Sequence, residues 1–222
     1  MEGPAGSILE RARRERARFL AATSAGYRPW LHLATPFVVG AAVIGGCLAC
    51  LEGPGLKDLA AVPVLWVIAI ATEWRFHRDW LHRRRPPLQF LYEAHTVSHH
   101  ALYVDGAMEI ADARELRGIL FPPFAAPLLA VLVAPIAWGV AQLAGRDFGL
   151  LFLAAAMLYL MTYEALHLAF HLPRAHPLRR LPIVAALAVH HARHHDPRRM
   201  QRANFGVTSA LWDRVRGTVA RD

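Results

Sequence analysis

Four stretches of this chain are long and apolar enough to cross a bilayer, and they constrain the fold before any other feature does. Residues 30–51 contain no Asp, Glu, Lys or Arg, and about 20 such residues span the ~30 Å hydrocarbon core. Comparable stretches occupy residues 59–76, where charge enters only at Glu73 and Arg75, and residues 119–143 and 148–172. Backbone in lipid must satisfy its own hydrogen bonds, which leaves helices or closed barrels. Runs this long and continuously apolar predict helices. The expected fold class is all-α, a polytopic membrane protein with four transmembrane helices.

Composition agrees with that reading. Of the 222 residues 55% are hydrophobic, and mean hydropathy is +0.26, high for a soluble protein. The formal charge of +8 is carried by arginine, Lys57 being the only lysine. This Ala- and Arg-rich usage fits a GC-rich bacterial genome, hence an inner-membrane location. Four spans put both termini and residues 77–117 on one side. Only Arg146, joined by Lys57, falls on the other, so the arginine-rich side is expected to be cytoplasmic. Cys47 and Cys50 are the two cysteines. Three apart inside the first span, they read as small packed thiols rather than a redox or metal pair. The polar, arginine-rich N-terminus does not read as a signal peptide.

Around the spans, residues 1–29 read as a basic juxtamembrane segment that fixes topology, or as a short helix on anionic headgroups. Nucleic-acid binding has no motif to support it. Residues 105–118 read as an amphipathic surface helix. Gly145-Arg146-Asp147 reads as a tight outer turn, and Pro122, Pro123, Pro127 and Pro135 as kinks in the third span. Residues 30–222 are expected to form one membrane domain, with residues 173–222 as a histidine-bearing cap.

Eleven of the thirteen histidines fall into four boxes: His77 and His82 in HxxxxH, His95, His99 and His100 in HxxxHH, His167 and His171 in HxxxH, and His190, His191, His194 and His195 in HHxxHH. His32 and His176 stand alone, the first read as interfacial and the second as a loop residue. Four imidazoles in six residues would repel if charged and are costly to bury unpaired. Neutral imidazole is also the commonest protein metal ligand. Counting along the helices, about 27–28 Å separates His77 and His167 from the far ends of their spans, which brings the boxes to one level.

Ten or eleven imidazoles exceed what one ion takes and suit two adjacent ions. Nitrogen-only sites fit iron, zinc, copper or nickel and argue against calcium and magnesium. A closed structural zinc site would need four ligands and often cysteine, which the boxes lack. Two ions beside lipid suggest redox work on dioxygen and an unactivated C–H bond. Glu73, Glu93, Glu164 and Asp196 lie beside the boxes, where a carboxylate either orients an imidazole N–H or balances nearby arginines. Asn204 is a weaker candidate for the same place. His190 reads equally as ligand and as bystander.

Taken together, HxxxxH, HxxxHH, HxxxH and HHxxHH, followed by NFGVTSxxWDRVxGT, resemble the fatty acid hydroxylase/sterol desaturase superfamily over roughly residues 65–218. The middle box is the longer of the family's two forms. The resemblance implies that His77, His82, His95, His99, His100, His167, His171, His191, His194 and His195 are the metal ligands. It implies two iron ions, with zinc possible as isolated, in a cytoplasmic helical cap. It implies dioxygen-dependent hydroxylation of a membrane lipid, such as a fatty acyl chain. Electrons would come from a ferredoxin or cytochrome b5 system, expected to be separate because no heme-binding domain precedes residue 30. Within the superfamily, a carotenoid hydroxylase or a sterol or lipid desaturase is the near alternative. A metal transporter or sensor is the alternative of another class, and would call for ionisable groups along the middle of the spans.

Overall fold

The computed structural model describes residues 4–221, so the first three residues of the basic segment and the C-terminal residue lie outside it. The regular secondary structure of the described residues is helical apart from an isolated antiparallel bridge between Val104 and Ala107. We number the longer helices α1 (Pro4–Ala22), α2 (Pro29–Ala49), α3 (Ala61–Phe76), α4 (Ala125–Ala144), α5 (Arg146–His171), α6 (Pro182–His194) and α7 (Leu211–Arg216). Among the described residues four helical stretches are long and apolar enough to cross a membrane: Pro29–Ala49, Leu56–Leu81, Ala125–Ala144 and Arg146–His171. The protein is accordingly an integral membrane protein.

The chain divides into two compact units. One comprises Trp30–Ala69 and Phe121–Ala165. Its interior mixes alanines with larger aliphatic side chains, Leu65, Ala155 and Ala156 in one cluster and Ala126, Met157 and Leu160 in another. Gly149 packs where a Cβ would stand 2.6 Å from the Ala137 carbonyl oxygen, the close helix approach that small residues permit in membranes. Outward faces carry bare aliphatics such as Val38, Val131, Leu132 and Ile136, all more than half exposed. Water would penalise such a surface and lipid does not. The expected turn at Gly145-Arg146-Asp147 is present: Gly145 takes φ 107° and ends α4. The Asp147 carboxylate accepts the Glu52 and Gly53 N–H groups at 3.2 and 3.1 Å.

The third span is shorter than expected. Residues 119–124 are not helical, and α4 begins only at Ala125. Pro122 and Pro123 lack the N–H groups a helix would use. The unwound Phe121 is instead served by side chains: His32 Nε2–H donates to its carbonyl at 2.8 Å, and its N–H donates to Glu164 Oε1 at 3.0 Å. His32 is therefore buried as a backbone partner. Cys47 is buried and Cys50 exposed, both as free thiols.

The other unit comprises Met1–Pro29, Ile70–Leu120 and Leu166–Asp222. It contains all ten histidines named as ligands. Helix α1 is anchored rather than peripheral: Ala12 is buried, and Arg16 forms a two-pronged ion pair with the buried Glu115 at 2.6 and 3.1 Å. The expected amphipathic helix over 105–118 is absent. Residues 105–112 form a loop and Ala113–Gly118 a 3₁₀ turn, because Glu115, Leu116 and Tyr103 face the interior and take the chain inward.

Two further departures from α geometry lie at the boxes. His77–Leu81 and Glu93–His99 are π-helical, with the His82 N–H donating to the His77 carbonyl five residues back at 3.2 Å. The wider turn brings residues i and i+5 onto one side. Such local π turns occur mostly at functional sites.

Candidate metal centre

Nine of the ten rings form two adjoining groups. His77, His82, His95, His100 and His194 each offer a nitrogen within 4.8 Å of the others, and so do His99, His167, His171 and His191. His195 touches both groups, its Nε2 3.0 Å from His191 Nε2 and its ring stacked 4.2 Å from that of His100. All ten rings are buried, none more than 9% exposed.

The groups cut across the boxes. His95 and His100, joined by the second π turn, enter one group, while His99 enters the other. Likewise His191 and His194 of the last box part company. One group thus ties together the π turn that follows α3, the second box and α6, and the other ties together the second box, α5 and α6.

The proton inventory tests whether these rings fit metal. A backbone carbonyl only accepts, so a ring nitrogen bonded to one must carry the proton. His77 Nδ1–H donates to Phe205 O at 2.5 Å and His194 Nδ1–H to Ala203 O at 2.8 Å. In the other group His99 donates to Gly118 O and His171 to Met108 O, each at 2.8 Å, and His195 donates to Tyr103 O at 2.7 Å. Thr96 spends its hydroxyl proton on Leu81 O at 2.6 Å, so its oxygen accepts from His82 Nδ1–H at 3.1 Å.

Each of these neutral rings is left with a lone pair on Nε2, and those lone pairs converge. His82 Nε2 lies 2.9 Å from His194 Nε2 and 3.2 Å from His77 Nε2. Lone pairs facing at that distance repel unless a cation lies between them. Two nitrogens ~2.0–2.1 Å from one ion stand about 2.9–3.4 Å apart at ordinary coordination angles. His99 Nε2 and His171 Nε2 are buried without a hydrogen-bond partner among the described residues. The donor set fits a pair of metal ions.

Burial also keeps the rings neutral. It pushes His99 down to about 4. It lowers His82, His95, His100, His191, His194 and His195, with neighbouring imidazoles adding to the effect. Neutral imidazole is the form that binds metal.

The acidic candidates have backbone, hydroxyl and arginine partners. Glu73 accepts Val207 N–H at 2.5 Å and the Thr208 hydroxyl at 2.7 Å, fastening the C-terminal segment. Glu164 serves Phe121. Glu93 pairs with Arg84, and Asp196 with Arg198 and Arg199, so these two balance arginines. Asn204, at φ 57°, braces its own loop through His190 O at 2.8 Å and the Ala220 N–H at 2.7 Å. His190 belongs to neither group; its Nε2 lies 3.1 Å from Asp213 Oδ2. His176 caps the 3₁₀ turn Pro177–Arg180, its Nδ1 accepting the Leu178 N–H. Sequence reasoning missed Thr96, Glu115, Asp213 and the carbonyls that receive the Nδ1 protons. Asp213 alone carried a signal, as the acid of the WD pair in the C-terminal motif.

A family model described as fatty acid hydroxylase matches residues 62–218. A dihydroceramide fatty acyl 2-hydroxylase, FAH1, of Arabidopsis thaliana is 29% identical over 173 residues, which cover 75% of this chain and 64% of the relative. The chain therefore spans somewhat less than two thirds of that relative's length. No solved structure matches.

Proposed function

The chain belongs to the fatty acid hydroxylase family, which implies oxidoreductase activity, and on that premise we propose that it is a membrane di-iron oxygenase hydroxylating a fatty acyl C–H bond. The balanced reaction takes RH, dioxygen, two electrons and two protons to ROH and water. The electrons come from a ferredoxin- or cytochrome b5-type donor. The similarity to a fatty acyl 2-hydroxylase supports an acyl chain over a carotenoid or sterol.

One ion would be held by His77, His82, His95, His100 and His194, the other by His99, His167, His171 and His191, with His195 as the tenth ligand. When bound, a pair of iron ions supplies the capacity to reduce dioxygen and to oxidise an unactivated C–H bond. The observation that carries this reading is the set of Nε2 lone pairs converging at 2.9–3.2 Å on rings whose Nδ1 protons are committed elsewhere. The chain's own part is to hold six of the ten rings, His77, His82, His99, His171, His194 and His195, by Nδ1–H, which fixes their tautomer and orientation. Burial excludes water from the space the rings enclose. The arginine distribution supports a cytoplasmic position for residues 77–117 and 173–222, in a bacterial inner membrane.

The test is lipid profiling of cells with and without the gene. A fatty acyl product heavier by one oxygen is expected, and it disappears in His99→Ala. A product lighter by two hydrogens would replace hydroxylation with desaturation, and no change in any lipid would overturn the proposal.

A further inference from the structure

The two groups of rings take their Nδ1 acceptors from two separate segments. His77 and His194 use Phe205 O and Ala203 O. His99, His171 and His195 use Gly118 O, Met108 O and Tyr103 O. Each segment is held by one buried carboxylate, Asp213 at 0% exposure and Glu115 at 1%.

Asp213 receives five donors. Trp74 Nε1–H and Phe205 N–H, each at 3.0 Å, and the Thr218 hydroxyl at 2.7 Å reach Oδ1. Gly206 N–H at 2.7 Å and His190 Nε2 at 3.1 Å reach Oδ2. The Gly206 N–H and the Phe205 carbonyl belong to one planar trans peptide and point opposite ways. Anchoring that N–H on Asp213 therefore aims the carbonyl at His77. The next contact repeats the device: Asn204 N–H donates to Thr218 O at 2.9 Å, which aims the Ala203 carbonyl at His194. A side chain at Gly206 would collide with Ser209 O and stand 3.0 Å from Asp213 Oδ2, so the carboxylate has bare backbone to itself.

Glu115 plays the matching part. Its Oε2 accepts the Tyr103 hydroxyl at 3.0 Å and Arg16 at 2.6 Å, and its Oε1 accepts Ala111 N–H at 3.3 Å. It lies in the same 3₁₀ turn as Gly118. It thereby gathers Tyr103, the loop after Met108 and the turn ending at Gly118 into one support.

We infer that Asp213 and Glu115 are positioning residues for two different ions, Asp213 for the group containing His77 and His194 and Glu115 for the group containing His99 and His171. This rests on the two-ion reading above. Neither carboxylate is proposed to bind metal; each acts through the carbonyls that orient the ligands. Loss of such an outer partner lowers metal affinity by about 10–100-fold.

The experiment loads the full chain in detergent with zinc(II), challenges it with a graded chelator and measures metal per chain. Wild type is expected to retain two ions under conditions where Asp213→Asn and Glu115→Gln each retain one. Asparagine keeps the shape but turns one acceptor into a donor facing donors. Asp213→Asn combined with His171→Ala is expected to retain none, and combined with His77→Ala to retain one. Thr218→Val, a milder change at the same carboxylate, is expected to show the same one-sided loss more weakly. Retention of both ions at wild-type affinity in Asp213→Asn, or equal loss from both sites in Thr218→Val, overturns the inference while leaving the two-ion reading intact. Fewer than two ions in wild type overturns that reading instead.

Discussion

His82 Nε2 and His194 Nε2 lie 2.9 Å apart, although each ring has already committed its Nδ1 side, His82 toward Thr96 and His194 toward Ala203. An arrangement of facing lone pairs holds together through a cation. Removing the metal should therefore cost stability as well as activity. An ion present at a thousand times its Kd stabilises the fold by about 4 kcal/mol. For a chain of this size each kcal/mol moves Tm by about 2–4 °C. Thermal unfolding in detergent with and without a strong chelator is expected to differ by about 10 °C or more. An unchanged Tm after complete demetallation would count against cations between the rings.

The metal-free chain should lose stability on mild acidification. Burial holds the rings neutral, His99 down to about 4 against an ordinary value of 6.5. Below pH 6.5 the unfolded chain binds protons that the folded rings refuse, so stability falls as pH falls and levels off for His99 near pH 4. Each ring contributes up to about 1.4 kcal/mol per pH unit across that window. The unfolding midpoint of metal-free protein is expected to drop steeply between pH 7 and pH 5. A flat profile would mean that the rings are not held neutral in the folded state.

Thr96 is placed to fix His82 through an oxygen that only accepts, because its proton goes to Leu81 O. Thr96→Val keeps the shape and removes that acceptor, leaving a buried ring N–H unpaired. Affinity for the ion held by His82 is expected to fall about 10–100-fold, and Thr96→Ser should restore it. Metal competition titrations on the two variants measure this. Equal weakening in both would point to packing rather than to the hydroxyl.

How much of this could be read from the residues differs by element. Span number followed from apolar length alone, because lipid leaves the backbone few options. That His77 and His167 come to one level followed from counting rises along helices. The sorting of rings into groups did not, since His95 joins His100, five residues on, only because the backbone takes a π turn there, and local propensity does not encode one. Glu164 and Glu73 sit at helical spacing from histidines, yet their partners are the backbone of Phe121 and of Val207–Thr208. Those partners became available only where Pro122 and Pro123 unwound the chain and where the C-terminal segment returned to α3. The Nδ1 acceptors are carbonyls, which every residue carries, so no sequence pattern marks them.

His190 and His191 are neighbours with opposite assignments, and that contrast gives the sharpest mutational test. Successive helical residues point about 100° apart, so His190 faces Asp213 while His191 enters the group with His99, His167 and His171. His190→Ala removes one of five donors to Asp213, a loss of about 1 kcal/mol, and is expected to leave two ions per chain and turnover within a few-fold of wild type. His191→Ala removes a ligand and should lose one ion and at least about 100-fold in product formation. Metal analysis paired with product measurement distinguishes the two. If His190→Ala lost an ion as readily as His191→Ala, the last box would contribute four ligands and the division into two groups would have to be redrawn.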